Sequence, residues 1–143
     1  MKDKQLQDYR KYITTIMQNV LSPYEVTPPE QYKTNKPKRM YWGLCHKKAY
    51  DYMMNLKDRE NVVCCQGDII NPSREGMTGG HAWIELPGEL IFDGVLQRFY
   101  TREGYYNILK PDVKLRLTFT ELNELALKHR CFALYYNPEI TVV

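Results

Sequence analysis

A Pro-Gly pair, Pro87-Gly88, separates two short apolar-rich runs: His81-Ala82-Trp83-Ile84-Glu85-Leu86 before it and Leu90-Ile91-Phe92-Asp93-Gly94-Val95 after it. Two such runs joined by a tight turn predict an antiparallel hairpin over residues 81–95. No other feature constrains the chain as much. A hairpin fixes which residues face one another, and side chains alternate between the faces of a strand. Centred on Pro87, this one sets His81 beside Asp93 with both side chains on the same face. The bland alternatives are a satisfied structural histidine and a turn-proximal carboxylate paired with Arg98 or Arg102. Gly79-Gly80, directly before His81, favours a site, because two residues without side chains let backbone or substrate approach closely.

Around the hairpin, residues 3–21 carry Leu6, Tyr9, Ile13, Ile16, Met17, Val20 and Leu21 at steps of one helical face, and Ser22-Pro23 ends that helix. Residues 22–40 hold Pro23, Pro28, Pro29 and Pro37 and predict a connector without regular structure. A second helix is expected over about 44–56, with Cys45 in its first turn. Residues 61–70 predict a strand, 71–80 a loop, 113–117 a strand, and 131–136 a final short strand. Thr118-Phe119-Thr120-Glu121 has the form of a capping box opening a helix that ends near Arg130. The aromatic segment 97–110 fits neither pattern cleanly. Phe99, Tyr100, Tyr105 and Tyr106 within it suit either a core or a substrate groove. The order predicts an α+β fold with helices packed on a mostly antiparallel sheet. One domain spans 1–143, made of a helix and connector over 1–40 and a core over 41–143.

The 143 residues are 43% hydrophobic and include 12 Tyr, enough for a buried core without disulfide staples. Twenty basic residues against 17 acidic give a net charge of +3, too balanced to point to nucleic acid. Lys33, Lys36, Lys38, Arg39, Lys47 and Lys48 cluster locally, as a solvated face or a surface for an acidic partner. No apolar run approaches the ~20 residues that span a bilayer. The opening residues are amphipathic and unlike a signal peptide, so a cytoplasmic chain with no membrane partner is expected. Its four Cys then act as thiols. Cys64 and Cys65 are adjacent and project to opposite faces of a strand, which predicts packing and no metal pair, even with Cys131, His46 and His129 considered.

Thiol catalysis needs a thiolate, a base within hydrogen-bond reach, and a group that orients the base. A helix N-terminus and a nearby imidazolium both favour the thiolate, and free N–H groups at the helix start suit a developing oxyanion. Cys45 meets the first condition, and His81 with Asp93 supplies the rest. The bland reading of Cys45 is a small buried residue on an amphipathic helix.

Trp42-Gly43-Leu44-Cys45 opening a helix, His81-Ala82-Trp83-Ile84-Glu85 on a strand, and Phe92-Asp93 on the next strand together resemble the transglutaminase-like superfamily of papain-like cysteine enzymes. The resemblance covers residues 42–94. It implies a papain-like core, with Cys45 as nucleophile, His81 as base and acid, and Asp93 as the orienting carboxylate. It also implies a thioester formed from a peptide, protein or small amide substrate, with no metal or organic cofactor. The superfamily includes transglutaminases, peptidases, amidases and deamidases. Hydrolysis is favoured here over transfer, since 143 residues leave little surface for a second substrate site. Tyr41, Trp42 and Trp83 are candidates for oxyanion contact or cleft lining. Trp83 is expected to pack near the site, and Glu85 to face solvent or pair with a cation. The loop 71–80 is expected to border and gate the cleft. His46 departs from the pattern and has no assigned role. The rival reading is a non-catalytic binding module that keeps the fold.

Overall fold

A computed structural model describes residues 3–35, 39–72 and 76–140. The elements run α1 (Asp3–Leu21), β1 (Glu25–Val26), α2 (Cys45–Asn55), β2 (Val63–Ile70), β3 (Thr78–Leu86), β4 (Leu90–Asp93), β5 (Arg98–Thr101), α3 (Arg102–Leu109), β6 (Asp112–Leu117) and α4 (Phe119–His129). The six strands form one antiparallel sheet in the order β1-β5-β4-β3-β2-β6. The fold is α+β. No described helix is long and apolar enough to cross a membrane.

Strand alternation builds two cores, one on each face of the sheet. On one face Cys65, Trp83, Ile91 and Tyr100 meet Met17 and Leu21 of α1 and Tyr105 and Leu109 of α3. On the other, Cys64, Ile84, Phe92 and Leu117 meet Ala49, Tyr52 and Met53 of α2 and Leu122 of α4. Cys64 and Cys65 therefore serve opposite cores, as their adjacency on a strand requires. The box at the start of α4 is reciprocal: Thr118 Oγ1 accepts from the Glu121 N–H, and Glu121 Oε1 accepts from the Thr118 N–H.

The hairpin forms, but its centre is displaced from the expected one. Ile84 pairs with Phe92, Glu85 with Ile91 and Leu86 with Leu90, so the turn is centred on Gly88 and not Pro87. The cause is the three-residue turn Pro87-Gly88-Glu89, in which Gly88 (φ 82°) and Glu89 (φ 59°) are left-handed. Moving the centre by one residue shifts every partner by two, so the faces are kept. Asp93 falls level with Trp83 and reaches His81 on the diagonal.

Other expectations are corrected. Within the connector, the proline-free stretch between Pro23 and Pro28 supplies β1, which pairs with β5 at the sheet edge and holds Arg98 through Glu25 at 3.0 Å. Residues 36–38 of the connector, which include Lys36 and Lys38, lie outside the described residues. The loop expected through residue 80 ends earlier, because Thr78, Gly79 and Gly80 pair with Ile70, Ile69 and Asp68 of β2; residues 73–75 are outside the description. The ambiguous 97–110 segment divides into β5 and α3 at Thr101, whose hydroxyl caps the helix by accepting from the Gly104 N–H. Residues 131–136 form no strand. Their backbone is claimed by the buried Gln66 amide, which donates to Phe132 O (2.7 Å) and accepts from Leu134 N–H (2.8 Å).

One gap in the sheet determines where α2 goes. Strand β3 pairs with β2 along residues 78–85 but with β4 only along 84–86. Beyond β4 the chain turns away at Gly94, whose backbone lies flat against Lys48 and Ala49 of α2. The segment leading into α2 is tied there too, by the Tyr41 N–H to Val95 O bond (2.8 Å). A Cβ on residue 94 would sit 2.7 Å from Lys48 Cβ and 3.0 Å from the Lys48 carbonyl carbon. Gly94→Ala is expected to lose about 1–3 kcal/mol of stability through overpacking, read as a lower urea midpoint at unchanged m-value.

Candidate functional site

Cys45 is the first residue of α2, where the backbone N–H groups of the opening turn have no carbonyl ahead of them in the helix. His81 lies in the half of β3 that β4 leaves unpaired, and Asp93 is the last residue of β4. His81 and Asp93 are buried, while the Cys45 residue stays partly accessible at the floor of a groove.

Asp93 is fully engaged. Its Oδ1 accepts from the N–H groups of Val95 (2.9 Å) and Leu96 (3.1 Å), which follow it in the tight turn into β5. Its Oδ2 accepts from the Tyr105 hydroxyl (2.7 Å) and from His81 Nε2 (2.9 Å). Tyr105 Oη is also 3.0 Å from His81 Nε2. With Nε2 committed to the carboxylate, Nδ1 is the ring nitrogen left for a thiol. The arginines that might have claimed Asp93 are elsewhere: Arg98 pairs with Glu25, and Arg102 lies near Glu85.

The electrostatics follow from this geometry. Burial pushes the His81 imidazolium toward losing its proton, but the Asp93 charge and hydrogen bond outweigh burial and lift it to about 10. Burial raises the Asp93 carboxyl, and His81 and Tyr105 pull it back below the usual carboxylate range. Burial likewise raises the Cys45 thiol, yet hydrogen bonds from His46 and His81, with their charges, bring it down to about 5. Cys64 has no such partners, and burial drives it up to about 12; burial also raises Cys65. The two shifts reinforce each other: the protonated His81 favours the Cys45 thiolate, and the thiolate in turn favours the protonated His81.

Of the other three candidates, none lines the groove over Cys45 and His81. Trp83 is fully buried beneath the site. Its ring stacks on His81 (centroids 6.0 Å apart, planes at 19°), and its indole N–H donates to Tyr106 Oη at 2.9 Å. Trp42 gives its indole N–H to Gln7 Oε1 of α1 at 2.8 Å. Tyr41 lies under the Lys48 ammonium (4.2 Å) and the Arg39 guanidinium (4.7 Å). The donors left for an oxyanion are the backbone N–H groups at the start of α2. Glu85 is buried and ion-paired, accepting from the Tyr106 hydroxyl and facing Arg116 at 3.4 Å. Phe99, Tyr100 and Tyr105 complete the core.

Three features were not read from the sequence. Tyr105, which the sequence offers as a core or groove aromatic, belongs through its hydroxyl to the His–Asp pair. His46 Nδ1 sits 3.3 Å from Cys45 Sγ and, with His81, lowers the thiol. Sequence neighbours do not face each other along a helix, so spacing concealed this contact. The His46 ring stacks on Tyr135 (6.0 Å, 19°), within the segment that Gln66 holds. The third is α1, whose Leu6, Tyr9 and Ile13 form one wall of the groove over Cys45 and His81. Its amphipathic stripe gave no sign that part of it faces a cleft. The groove, about 290 Å³, is otherwise bounded by Ile69, Val95 and the Asn71-Pro72 and Gly79-Gly80 ends of the β2–β3 connection.

Comparison with models of known protein families, with curated proteins and with solved structures found no match.

The site makes a signed prediction for pH. In Asp93→Asn the charge that keeps His81 protonated is gone, so burial prevails and the imidazolium deprotonates. Cys45 then loses its counter-ion and its acid limb moves up from about 5. Iodoacetamide alkylation at pH 6 should slow about tenfold or more, and the rate–pH curve should shift upward. Tyr105→Phe removes only one neutral donor, worth about 1 kcal/mol, and should shift the curve less.

Proposed function

We propose that this protein is a transglutaminase-like cysteine enzyme that opens amides through a Cys45 thioester. The observation that carries the reading is the placement of three groups: Cys45 at the start of α2 shares one groove with His81, and Asp93 holds His81 Nε2 at 2.9 Å, so the thiol is lowered and the imidazole raised. A structural cysteine has no need of a buried ion pair beside it, and strongly perturbed groups in a cleft mark functional sites. The order of Cys at a helix start, then His and Asp on successive strands, supports the same reading, as does the resemblance of residues 42–94 to that superfamily.

In the proposed reaction the Cys45 thiolate attacks the amide carbonyl carbon, and the N–H groups at the start of α2 hold the oxyanion. His81 gives its proton to the leaving nitrogen as the C–N bond breaks, which leaves a thioester. Neutral His81 then takes a proton from water as its oxygen attacks the acyl carbon. The C–S bond breaks, the acid departs, and the thiolate–imidazolium pair is restored. Asp93 keeps Nε2 protonated throughout, so Nδ1 performs both transfers. Water is the favoured acceptor, and a second amine in its place would make the reaction a transfer. Trp83 and Tyr105 act as positioning residues: the indole stacks on the His81 ring, and the phenol fixes Asp93.

Two measurements test the proposal. Iodoacetamide at pH 6, followed by peptide mass mapping, should modify Cys45 well before Cys64, Cys65 and Cys131; equal slow labelling of all four would remove its basis. Profiling on peptide, glutamine and simple amide substrates should find turnover in the wild type. In Cys45→Ala that turnover should fall by about four orders of magnitude or more, since loss of a nucleophile removes the covalent route.

A further inference from the structure

Two clefts meet beside the nucleophile, and their chemistry differs. The first is the groove of about 290 Å³ that ends at Cys45 and His81, with apolar walls from Leu6, Ile13, Ile69 and Val95. The second, about 570 Å³, lies between α1 and the segment leading into α2, bordered by Lys11, Arg39, Tyr41 and Trp42. Arg10 and Gly43 line both. Among the described residues, no Asp or Glu lines either cleft.

Arg10 stands at the junction. Gly43 is left-handed (φ 81°), and the Arg10 side chain lies across its bare Cα; a Cβ there would come 3.0 Å from Nη1 and 3.1 Å from Cδ. Gly43 precedes Cys45 by two residues, so the guanidinium rests on the loop that presents the nucleophile. No described carboxylate forms an ion pair with Arg10, Lys11 or Arg39. Elsewhere on the surface acidic partners are at hand: Lys33 pairs with Glu30, Lys47 with Asp51, and Lys114 with Asp112. A half-buried guanidinium with no acceptor among the described residues presents a planar fork of donors that matches a carboxylate. A cleft of one sign also raises the local concentration of the opposite charge.

We propose that Arg10 is a specificity-determining residue that receives a substrate carboxylate. The site would then act on amides that carry both an apolar group, for the groove, and a carboxylate, for the basic cleft. This inference rests on the reading of Cys45 as a reactive thiolate, and its test separates the two.

The probes are chloroacetyl amides, on which the Cys45 sulfur displaces chloride as the S–C bond forms and the C–Cl bond breaks. Chloroacetyl-leucine carries a terminal carboxylate, and chloroacetyl-leucyl-isoglutamine carries a side-chain carboxylate. Each is compared with its neutral amide, so the two arms distinguish the sources of the anion. The quantity read is the ratio of second-order labelling rates, anionic over neutral, by intact mass. His81 itself attracts anions, so the informative result is the change in ratio on substitution. Arg10→Gln should lower the ratio about tenfold for the favoured arm, and Arg10→Glu further, with the wild-type preference shrinking as salt is added. Lys128→Gln on α4, remote from both clefts, should leave the ratio unchanged. A ratio within about twofold of wild type in both Arg10 variants, for both arms, overturns the proposal. Failure of every probe to modify Cys45 in the wild type overturns the thiolate reading instead.

Discussion

A buried carboxylate is tolerable only when its lone pairs are taken up, and Asp93 has four donors on its two oxygens. Two come from the backbone of the turn that follows it, one from α3 and one from β3. This one group therefore ties together the end of β4, the entry to β5, the helix on that face and the site histidine. It also fixes the ring of His81, because an imidazole whose Nε2 is bound to an anion has only Nδ1 to offer. The depressed thiol of Cys45 lies one step further along the same chain of causes.

The placement of Cys45 depends on a different constraint, the unequal length of two ladders. Because β4 stops at Asp93 while β3 continues to Thr78, a notch is left beside the unpaired half of β3. Gly94 lets α2 approach closely, and the Tyr41–Val95 bond fastens the loop before it. The helix thus packs on the face opposite to α1 and α3 while its first residue reaches toward theirs; Cys45 contacts the core on the α1 and α3 side. A thiol at a helix start on one layer meets an imidazole on a strand of another without either leaving its regular element.

Much of the architecture was legible because it is local. The helices over 3–21 and 45–55 announce themselves by apolar spacing, the start of α4 by its capping box, and the hairpin by Pro87-Gly88. The misjudged segments are those whose backbone partners are distant in sequence. Residues 131–136 look like a strand until Gln66, more than sixty residues earlier, takes their backbone groups. Glu25 and Val26 look like connector until the edge of β5 offers them a ladder. The hairpin centre moved because two left-handed residues in its turn, one of them Glu89, are not announced by residue type alone.

For the site the division is similar. Alternation along strands, read from the sequence by itself, determined that His81 and Asp93 share a face, and parity preserved this even though the register shifted. Chain order and helix periodicity determined that Cys45 opens a helix. Tertiary structure alone decided that the helix start lies against His81, that Tyr105 and not an arginine holds Asp93, that His46 turns back on the thiol, and that α1 with Arg10 walls the cleft. Faces and helix starts are set by interactions within a few residues, which periodicity records. Contacts between elements depend on how several packed surfaces settle together, and no local pattern carries that information.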